Sequence, residues 1–375
     1  MAPNNALGNP SAAALRARYE GAPDPRESEA DGFGAGDTSV LGAEVADRGV
    51  GTAVRTPLDE FEARPRDELR CVWTAIMFLT RLPCPGWCDH HPGYLMRSLA
   101  YFPLLGSCVV GLWAAAMYDA ASSLWSPLIA AALSAGGTLW LTGCFHEDGL
   151  CDTLDGFGGG WTKSQILKIM RDSRNGSYAT MAGGLWIVAK CAAIAALHRE
   201  GGSTWAWGAS AGAGPVILVA QGLARASSAP LVFFYDYVVD DEDAKGEYYN
   251  WFGESRRLLG PYRVLFAIAS AICIAFAALH VTAALRALSV VGVGTIVAGE
   301  YGRGVLGGVM GDFLGATICM LEVGIYLAVG ADVSRADAAA LARCAVVVSL
   351  PQIYGRWRKW YERRHGYASP KAKEC

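Results

Sequence analysis

The stretch HEDGLCDTLDGFGGG (residues 146–160) stands between two strongly apolar parts of the chain. Its first ten residues hold five ionisable groups, which are His146, Glu147, Asp148, Asp152 and Asp155. Carboxylates beside apolar segments must lie where water or a cation can reach them, because an unpaired buried charge is costly. The apolar flanks therefore decide the fold, and the carboxylates indicate where a functional site is to be sought.

The composition around this stretch favours a membrane protein. The chain has 375 residues, of which 53% are hydrophobic and 18% are charged, whereas soluble domains are about 25% charged. The charges are also absent from long segments. We therefore predict an all-α, polytopic membrane helical bundle. We expect no nucleic-acid partner, because no basic patch with interleaved aromatic residues is present.

Apolar stretches long enough to cross a bilayer, about 20 residues each, predict seven or eight transmembrane helices. The candidates are 101–122, 126–145, 179–197, 204–223, 262–281, 284–299 and 313–332, with an eighth possible at 337–354. The shorter apolar stretch 71–83 predicts an interfacial or re-entrant helix.

The two ends of the chain differ from this apolar part. Residues 1–68 contain few large apolar residues, so we predict a disordered extension. Residues 69–355 then form an integral membrane catalytic domain, and residues 356–375 form a basic C-terminal tail. Lys and Arg concentrate before the first span and in the gaps 146–178, 224–261 and 300–312. The positive-inside rule places those segments, and with them the active site, on the cytoplasmic face.

The aspartates of the opening stretch predict a metal–phosphate site. Asp148, Asp152 and Asp155 follow the spacing i, i+4 and i+7, so they share one face of a helix. Three like charges repel unless a cation or a shared proton neutralises them. Carboxylate oxygens suit Mg²⁺, Mn²⁺ or Ca²⁺, and the spacing is not that of a calcium loop. Mg²⁺ normally uses one or two carboxylates together with substrate phosphates. The alternative is a solvated charged loop at the membrane surface.

The residues that follow predict phosphate binding. The glycine run, with Gly158 and Gly159, would let the backbone approach a ligand. SQILKIMRDSRNGS (164–177) predicts an amphipathic helix that presents Lys168, Arg171 and Arg174, and Arg can grip phosphate through two hydrogen bonds. Ordinary positive-inside charge is the alternative explanation.

Three further polar segments leave alternatives open. The loop 224–261 is acidic and aromatic, and is either a substrate lid or an interfacial aromatic belt. Asp312 and Glu322 belong to a predicted span, where a carboxylate indicates a functional site, although Glu322 could be a buried structural group. A zinc site formed by Cys84, Cys88, His90 and His91 is disfavoured by its spacing.

These motifs resemble the cobalamin synthase family, also called adenosylcobinamide-GDP ribazoletransferases. The family pattern is matched by HEDGLCDTLDG (146–156), FGGG and IMRDSRNGSY (169–178), and further by FLTRLP (78–83), YFPLLG (101–106) and GVMGDFLGA (308–316). The resemblance covers about residues 70–355. Glu147 departs from it, because that position is usually apolar in the family.

The resemblance implies a Mg²⁺-dependent transferase of cobalamin biosynthesis at the lipid bilayer. Adenosylcobinamide-GDP and α-ribazole, or its 5′-phosphate, would give adenosylcobalamin, or its phosphate, and GMP. An oligomer is possible. In our hypothesis Asp148 and Asp152 hold Mg²⁺ on the diphosphate, Asp155 completes the metal shell or acts as the base, and His146 is the alternative base. The remaining assignments are Asp312 as a metal ligand from across the bundle, Arg171 and Arg174 as catalytic phosphate contacts, and Gly158, Gly159, Lys168, Asp172 and Ser173 as binding residues.

Two other functions compete with this hypothesis. A CDP-alcohol phosphotransferase also places spaced aspartates at a membrane helix end, but Cys151 and Asp152 stand where its motif has Ala-Arg. A cation transporter could use Asp312 and Glu322, but would leave the glycine and arginine features unexplained.

Overall fold

The computed structural model describes residues 68–88, 92–197, 213–238 and 254–331. Within these ranges the chain is helical and has no strand, only an isolated bridge between Tyr237 and Val309. The predicted all-α fold is confirmed. The helices are α1 (Glu68–Leu79), α2 (Gly93–Ser122), α3 (Pro127–Thr142), α4 (Phe145–Gly159), α5 (Lys163–Met170), α6 (Ala179–Leu197), α7 (Gly214–Phe234), α8 (Ser255–Ala278), α9 (Val281–Val305) and α10 (Gly311–Gly330).

Six of these helices are long and apolar enough to cross a membrane, namely α2, α6, α7, α8, α9 and α10. A seventh span is possible if α3 and α4 count as one broken span or re-entrant loop, because the pair bends by 94°. The described residues therefore contain six or seven spans, compared with the seven or eight predicted. The eighth candidate at 337–354, the extension up to residue 67 and the tail at 356–375 lie outside the described residues.

Several predicted boundaries are wrong. The span predicted at 204–223 is instead α7, Gly214–Phe234, so its helix continues into the predicted loop 224–261. The span predicted at 284–299 is the longer helix Val281–Val305. The helix predicted over 126–145 ends at Thr142, because Gly143 and Cys144 adopt left-handed φ angles of 67° and 60°. That turn directs the acidic stretch away from α3 as a separate arm, α4.

Helix α7 is the centre of the bundle. Of its apolar stretch 83% is buried, compared with 11% for α9. Close approach to α2 depends on glycines, since a Cβ on Gly106 or Gly111 would lie within 2.8 Å of the α7 carbonyl of Gln221 or Leu218. Small residues at helix interfaces allow this contact between backbones in membranes. Helix α7 also carries polar side chains, which its enclosed position buries.

Candidate active site

The acidic arm α4 meets the start of α10 through two glycines. A Cβ on Gly149 would lie 2.8 Å from both Cα and the carbonyl oxygen of Asp312. A Cβ on Gly315 would lie 3.1 Å from the carbonyl oxygen of His146. Only glycines permit two backbones to approach this closely. The crossing therefore fixes where the carboxylates of α4 stand relative to Asp312.

Four aspartates gather at this crossing. Asp148 is exposed, Asp152 and Asp312 are half-buried, and Asp155 is buried. Burial, followed by the charges of Asp148, Asp312 and Asp155, raises the pKa of Asp152 to about 6. Asp152 lies on α4, outside the six long spans. The structure thus brings together the four aspartates that the sequence predicts as metal ligands. Because all four carry negative charge, they cannot neutralise one another.

The donor set at the crossing fits Mg²⁺ with a phosphate substrate. Within the described ranges, no group of three or more His, Cys, Asp or Glu is arranged to hold a metal ion alone. Mg²⁺ rarely occupies such an all-protein cage, because it usually takes one or two carboxylates and completes its shell with water and phosphate oxygens. Asp148 and Asp152 could supply those carboxylates, and Asp312 could contribute from across the crossing.

Asp155 joins the acidic arm to the segment with the predicted phosphate-binding residues. Its Oδ2 accepts a hydrogen bond from the backbone N–H of Gly176 at 2.6 Å, and its Oδ1 accepts one from Ala179 at 3.0 Å. A carboxylate at this point accepts hydrogen bonds from N–H groups at the start of α6. Its negative charge is also stabilised by the positive end of the helix dipole. Asp155 therefore holds the two motifs side by side.

The basic segment differs from its prediction as a helix over 164–177. Helix α5 ends at Met170, because the Asp172 carboxylate accepts the backbone N–H of Arg174 at 3.1 Å and so stabilises a turn. The same carboxylate pairs with the Arg174 guanidinium at 2.6 Å. This contact lowers the pKa of Asp172 to about 2. Lys168 and Arg171, like Arg174, are exposed, and Ser173 lies in the exposed turn.

The glycine run packs against protein rather than opening a cradle. A Cβ on Gly158 would lie 2.5 Å from the ring of Tyr178, and a Cβ on Gly159 would lie 3.3 Å from Cδ1 of Ile169. The two glycines therefore let α4 contact α5 and the segment leading into α6. Their predicted role in binding a ligand stays a prediction.

A buried polar network lies behind the arm, and sequence reasoning missed most of it. Lys190 on α6 forms an ion pair of 2.9 Å with Glu322 on α10. Gln221 on α7 donates to Glu322 at 2.5 Å and accepts from Arg225 at 2.6 Å. Arg225 Nη2 then lies 3.5 Å from Nδ1 of His146. The network links four helices and ends at the first residue of the opening stretch.

Arg225 corrects one step of the charge analysis. It was counted among the basic residues of a cytoplasmic loop, but it lies on α7 and is only 2% exposed. Residue-by-residue charge counting cannot detect such an arginine, because its partners come from other helices. The spacing of Gln221 and Arg225, i and i+4 within an apolar segment, was the available signal.

Two other candidate segments are only partly described. Cys84 and Cys88 are close enough for a side-chain hydrogen bond, but His90 and His91 lie outside the described residues. The described residues of the predicted 224–261 loop are 224–238 and 254–261. Val238 donates its N–H to Val309 O at 2.7 Å. Residues 239–253, the middle of the predicted lid, lie outside the described ranges.

Comparison with known proteins identifies the family. The family model described as cobalamin-5-phosphate synthase matches residues 71–330, which include the acidic arm, the basic turn and Asp312. This chain belongs to the cobalamin-5-phosphate synthase family. The resemblance inferred from the motifs is thereby confirmed. Membership also makes the chain an enzyme and removes the interpretation as a cation transporter.

Curated relatives agree with this family. An adenosylcobinamide-GDP ribazoletransferase of Shewanella amazonensis is 33% identical over 260 residues, which are 69% of this chain and 94% of the relative. The ribazoletransferase of Leptothrix cholodnii shows the same identity and coverage, and that of Shewanella frigidimarina is 31% identical over 70% of this chain and 94% of the relative. No solved structure matches the chain.

Proposed function

We propose that this chain joins adenosylcobinamide-GDP to α-ribazole, or to its 5′-phosphate, and releases GMP in a Mg²⁺-dependent reaction at the membrane. Family membership and the names of the relatives support the substrates. The observation that carries the proposal is the gathering of Asp148, Asp152, Asp155 and Asp312 at one glycine-lined helix crossing. The positive-inside distribution supports a cytoplasmic site, where a nucleotide substrate would arrive.

The acidic residues of the crossing would bind the diphosphate through the metal. Asp148 and Asp152 would hold Mg²⁺, and Asp312 would contribute from α10. Bound Mg²⁺ would neutralise negative charge on the diphosphate. In return, the cation would relieve the repulsion that raises the pKa of Asp152.

The basic turn would hold the phosphate that leaves. The oxygen of the ribazole hydroxyl attacks the phosphorus that carries the cobinamide, and the hydroxyl proton passes to water. The P–O bond between the two phosphorus atoms breaks, and GMP departs with the negative charge. Arg171 and Arg174 would stabilise that charge, with Lys168 and Ser173 as further contacts. Asp172 holds the Arg174 guanidinium in one orientation. Positioning and electrostatics supply most of the catalysis in reactions of this class.

The contacts refine the two candidate bases. Both oxygens of Asp155 already accept backbone N–H groups, so we assign Asp155 to positioning the basic turn against the arm. Arg225 has only donors, so Nδ1 of His146 must be the acceptor and the proton resides on Nε2. In this arrangement His146 offers a hydrogen-bond donor rather than a basic atom.

Membranes that contain the chain would test the proposed reaction. With adenosylcobinamide-GDP, α-ribazole and Mg²⁺, we expect equal amounts of GMP and adenosylcobalamin to form. With α-ribazole 5′-phosphate as the acceptor, adenosylcobalamin phosphate should form instead. The rates of GMP release with the two acceptors show which one is preferred. Release of CMP from a CDP-alcohol, without GMP release from adenosylcobinamide-GDP, would contradict the proposal and favour a CDP-alcohol phosphotransferase.

A further inference from the structure

Two cations are buried inside the helix bundle behind the site. Lys190 is 1% exposed and Arg225 is 2% exposed. A buried charge without a compensating charge is strongly destabilising. Glu322, which is 3% exposed, contacts Lys190 directly and reaches Arg225 through Gln221. One carboxylate can neutralise only one of the two cations.

Glu147 is placed to neutralise the other cation. It interacts electrostatically with both Lys190 and Arg225. Its Oε2 atom is buried and has no hydrogen-bond partner among the described residues. Glu147 therefore turns one oxygen into the protein, whereas the neighbouring Asp148 is exposed. With half-buried Glu147 included, the network contains two positive and two negative side chains.

We propose that Glu147 is the counter-charge that balances Lys190 and Arg225, and that the balanced network positions α4 at the active site. Glu147 is thus a positioning residue rather than a metal ligand. The part of this inference that concerns the active site rests on the proposed function, whereas the charge balance does not.

The network can act on the site because it ends on the arm. The Arg225 guanidinium lies between the Gln221 side chain and the His146 ring. His146 and Glu147 directly precede Asp148, and the backbone of His146 packs on Gly315 of α10. An uncompensated charge at Arg225 would disturb the same stretch of α4 that holds Asp148 next to Asp312.

A charge-rescue experiment tests the proposal in the full-length, membrane-inserted protein. Glu147→Gln leaves one excess positive charge, and Lys190→Met leaves one excess negative charge. The double variant restores neutrality, and a buried pair replaced in this way is often tolerated. We expect each single variant to lose about 10- to 100-fold in turnover, as changes to residues that support metal ligands often do, and to need more Mg²⁺ for half-maximal rate. The double variant should recover most of both losses.

The melting temperature of each purified variant, measured in detergent without substrate, provides a second readout. It should fall in both single variants and recover in the double variant, whatever reaction the enzyme catalyses. Glu300→Gln removes an exposed carboxylate near the end of α9 and is the matched control, which should behave as the unaltered protein. A double variant no better than the worse single variant, in both turnover and melting temperature, would overturn the proposal, as would an unaffected Glu147→Gln. If the unaltered protein releases no GMP, the proposed function fails while the melting temperatures still test the charge balance.

Discussion

Two clusters of charge share helix α4 and differ in how they are neutralised. On one side half-buried Glu147 joins the buried residues Lys190, Arg225 and Glu322 in a set with equal numbers of positive and negative side chains. On the other side Asp148 and Asp152 meet Asp312, and every charge of a described residue that acts on Asp152 is negative. The first cluster is complete within the protein. The second has no counter-charge among the described residues that act on Asp152, and an uncompensated charge of this kind supports our proposal of a cation that arrives with the substrate.

The two adjacent residues Glu147 and Asp148 belong to different clusters because of helix geometry. Glu147 and Asp148 are consecutive, and consecutive positions on an α-helix point about 100° apart, since a turn has 3.6 residues. One carboxylate therefore turns inward to the framework, and the next turns outward to the crossing. Substitutions in the two clusters should therefore differ in their effects on turnover and on stability. Equal effects would show that the two clusters have the same role.

Asp152→Asn should have the largest effect, because it removes a proposed metal ligand from the unbalanced cluster. We expect GMP release to fall by at least about 100- to 1,000-fold, the loss typical of one electrostatic contact to the transition state. The amount of protein inserted in the membrane should not change. Asp236→Asn, at an 87% exposed side chain, is the matched control and should retain normal turnover. Near-normal GMP release in Asp152→Asn would refute the metal assignment.

Glu322→Gln and Asp148→Asn should separate the two clusters by stability. Glu322→Gln leaves buried Lys190 without its direct partner, so we expect the free energy of unfolding to fall by about 3–5 kcal/mol. Asp148→Asn removes an exposed like charge, so without Mg²⁺ it should change stability by less than about 1 kcal/mol, in the stabilising direction. Denaturant unfolding in detergent measures both values. Equal losses in the two variants would remove the distinction between the clusters.

Gly149→Ala should disturb the unbalanced cluster through geometry alone. The added Cβ would lie 2.8 Å from the backbone of Asp312, so the two helices must separate. Displacement of reactive groups by about 1 Å can cost 100-fold, and we expect turnover to fall by about 10- to 100-fold. Gly136→Ala, which meets nothing within 4 Å, is the control. If both variants are equally active, the crossing does not set the position of the carboxylates.

Asp172→Asn should have the smallest effect. The pair that it removes is exposed, and exposed ion pairs contribute little to stability. We expect the Michaelis constant for adenosylcobinamide-GDP to rise by a few fold with little change in stability. Arg174→Lys should show a similar rise, because Lys cannot form the two-bond contact with a carboxylate or phosphate. Unchanged Michaelis constants in both variants would place this turn outside the binding site.

Sequence reasoning located the acidic arm because its signal is local. The spacing of Asp148, Asp152 and Asp155 predicts one helix face, and the structure contains that helix. The approach of Asp312 was predicted only through the family resemblance. Physically it depends on Gly149 and Gly315, whose partners are 163 and 169 residues away in the chain, so spacing could not reveal it.

The balanced cluster was missed for a related reason. Lys190 lies within an apolar span and Arg225 was assigned to a loop, because periodicity and charge counting examine each segment alone. The burial of Lys190 and Arg225 is stabilised by side chains from several helices, which are Glu322, Gln221 and Glu147. Likewise, the end of α5 at Met170 depends on a local hydrogen bond of Asp172, which competes with the helical pattern of 164–177.

The most direct test of the central claim, that the unbalanced carboxylates bind a divalent cation for a diphosphate substrate, is a Mg²⁺ titration of GMP release. Membranes would first be treated with a chelator, then supplied with adenosylcobinamide-GDP and α-ribazole at increasing Mg²⁺ concentration. We predict no GMP without the cation, saturable release with it, and none at any concentration in Asp152→Asn. Release that is independent of Mg²⁺, or that saturates equally in Asp152→Asn, would contradict the claim.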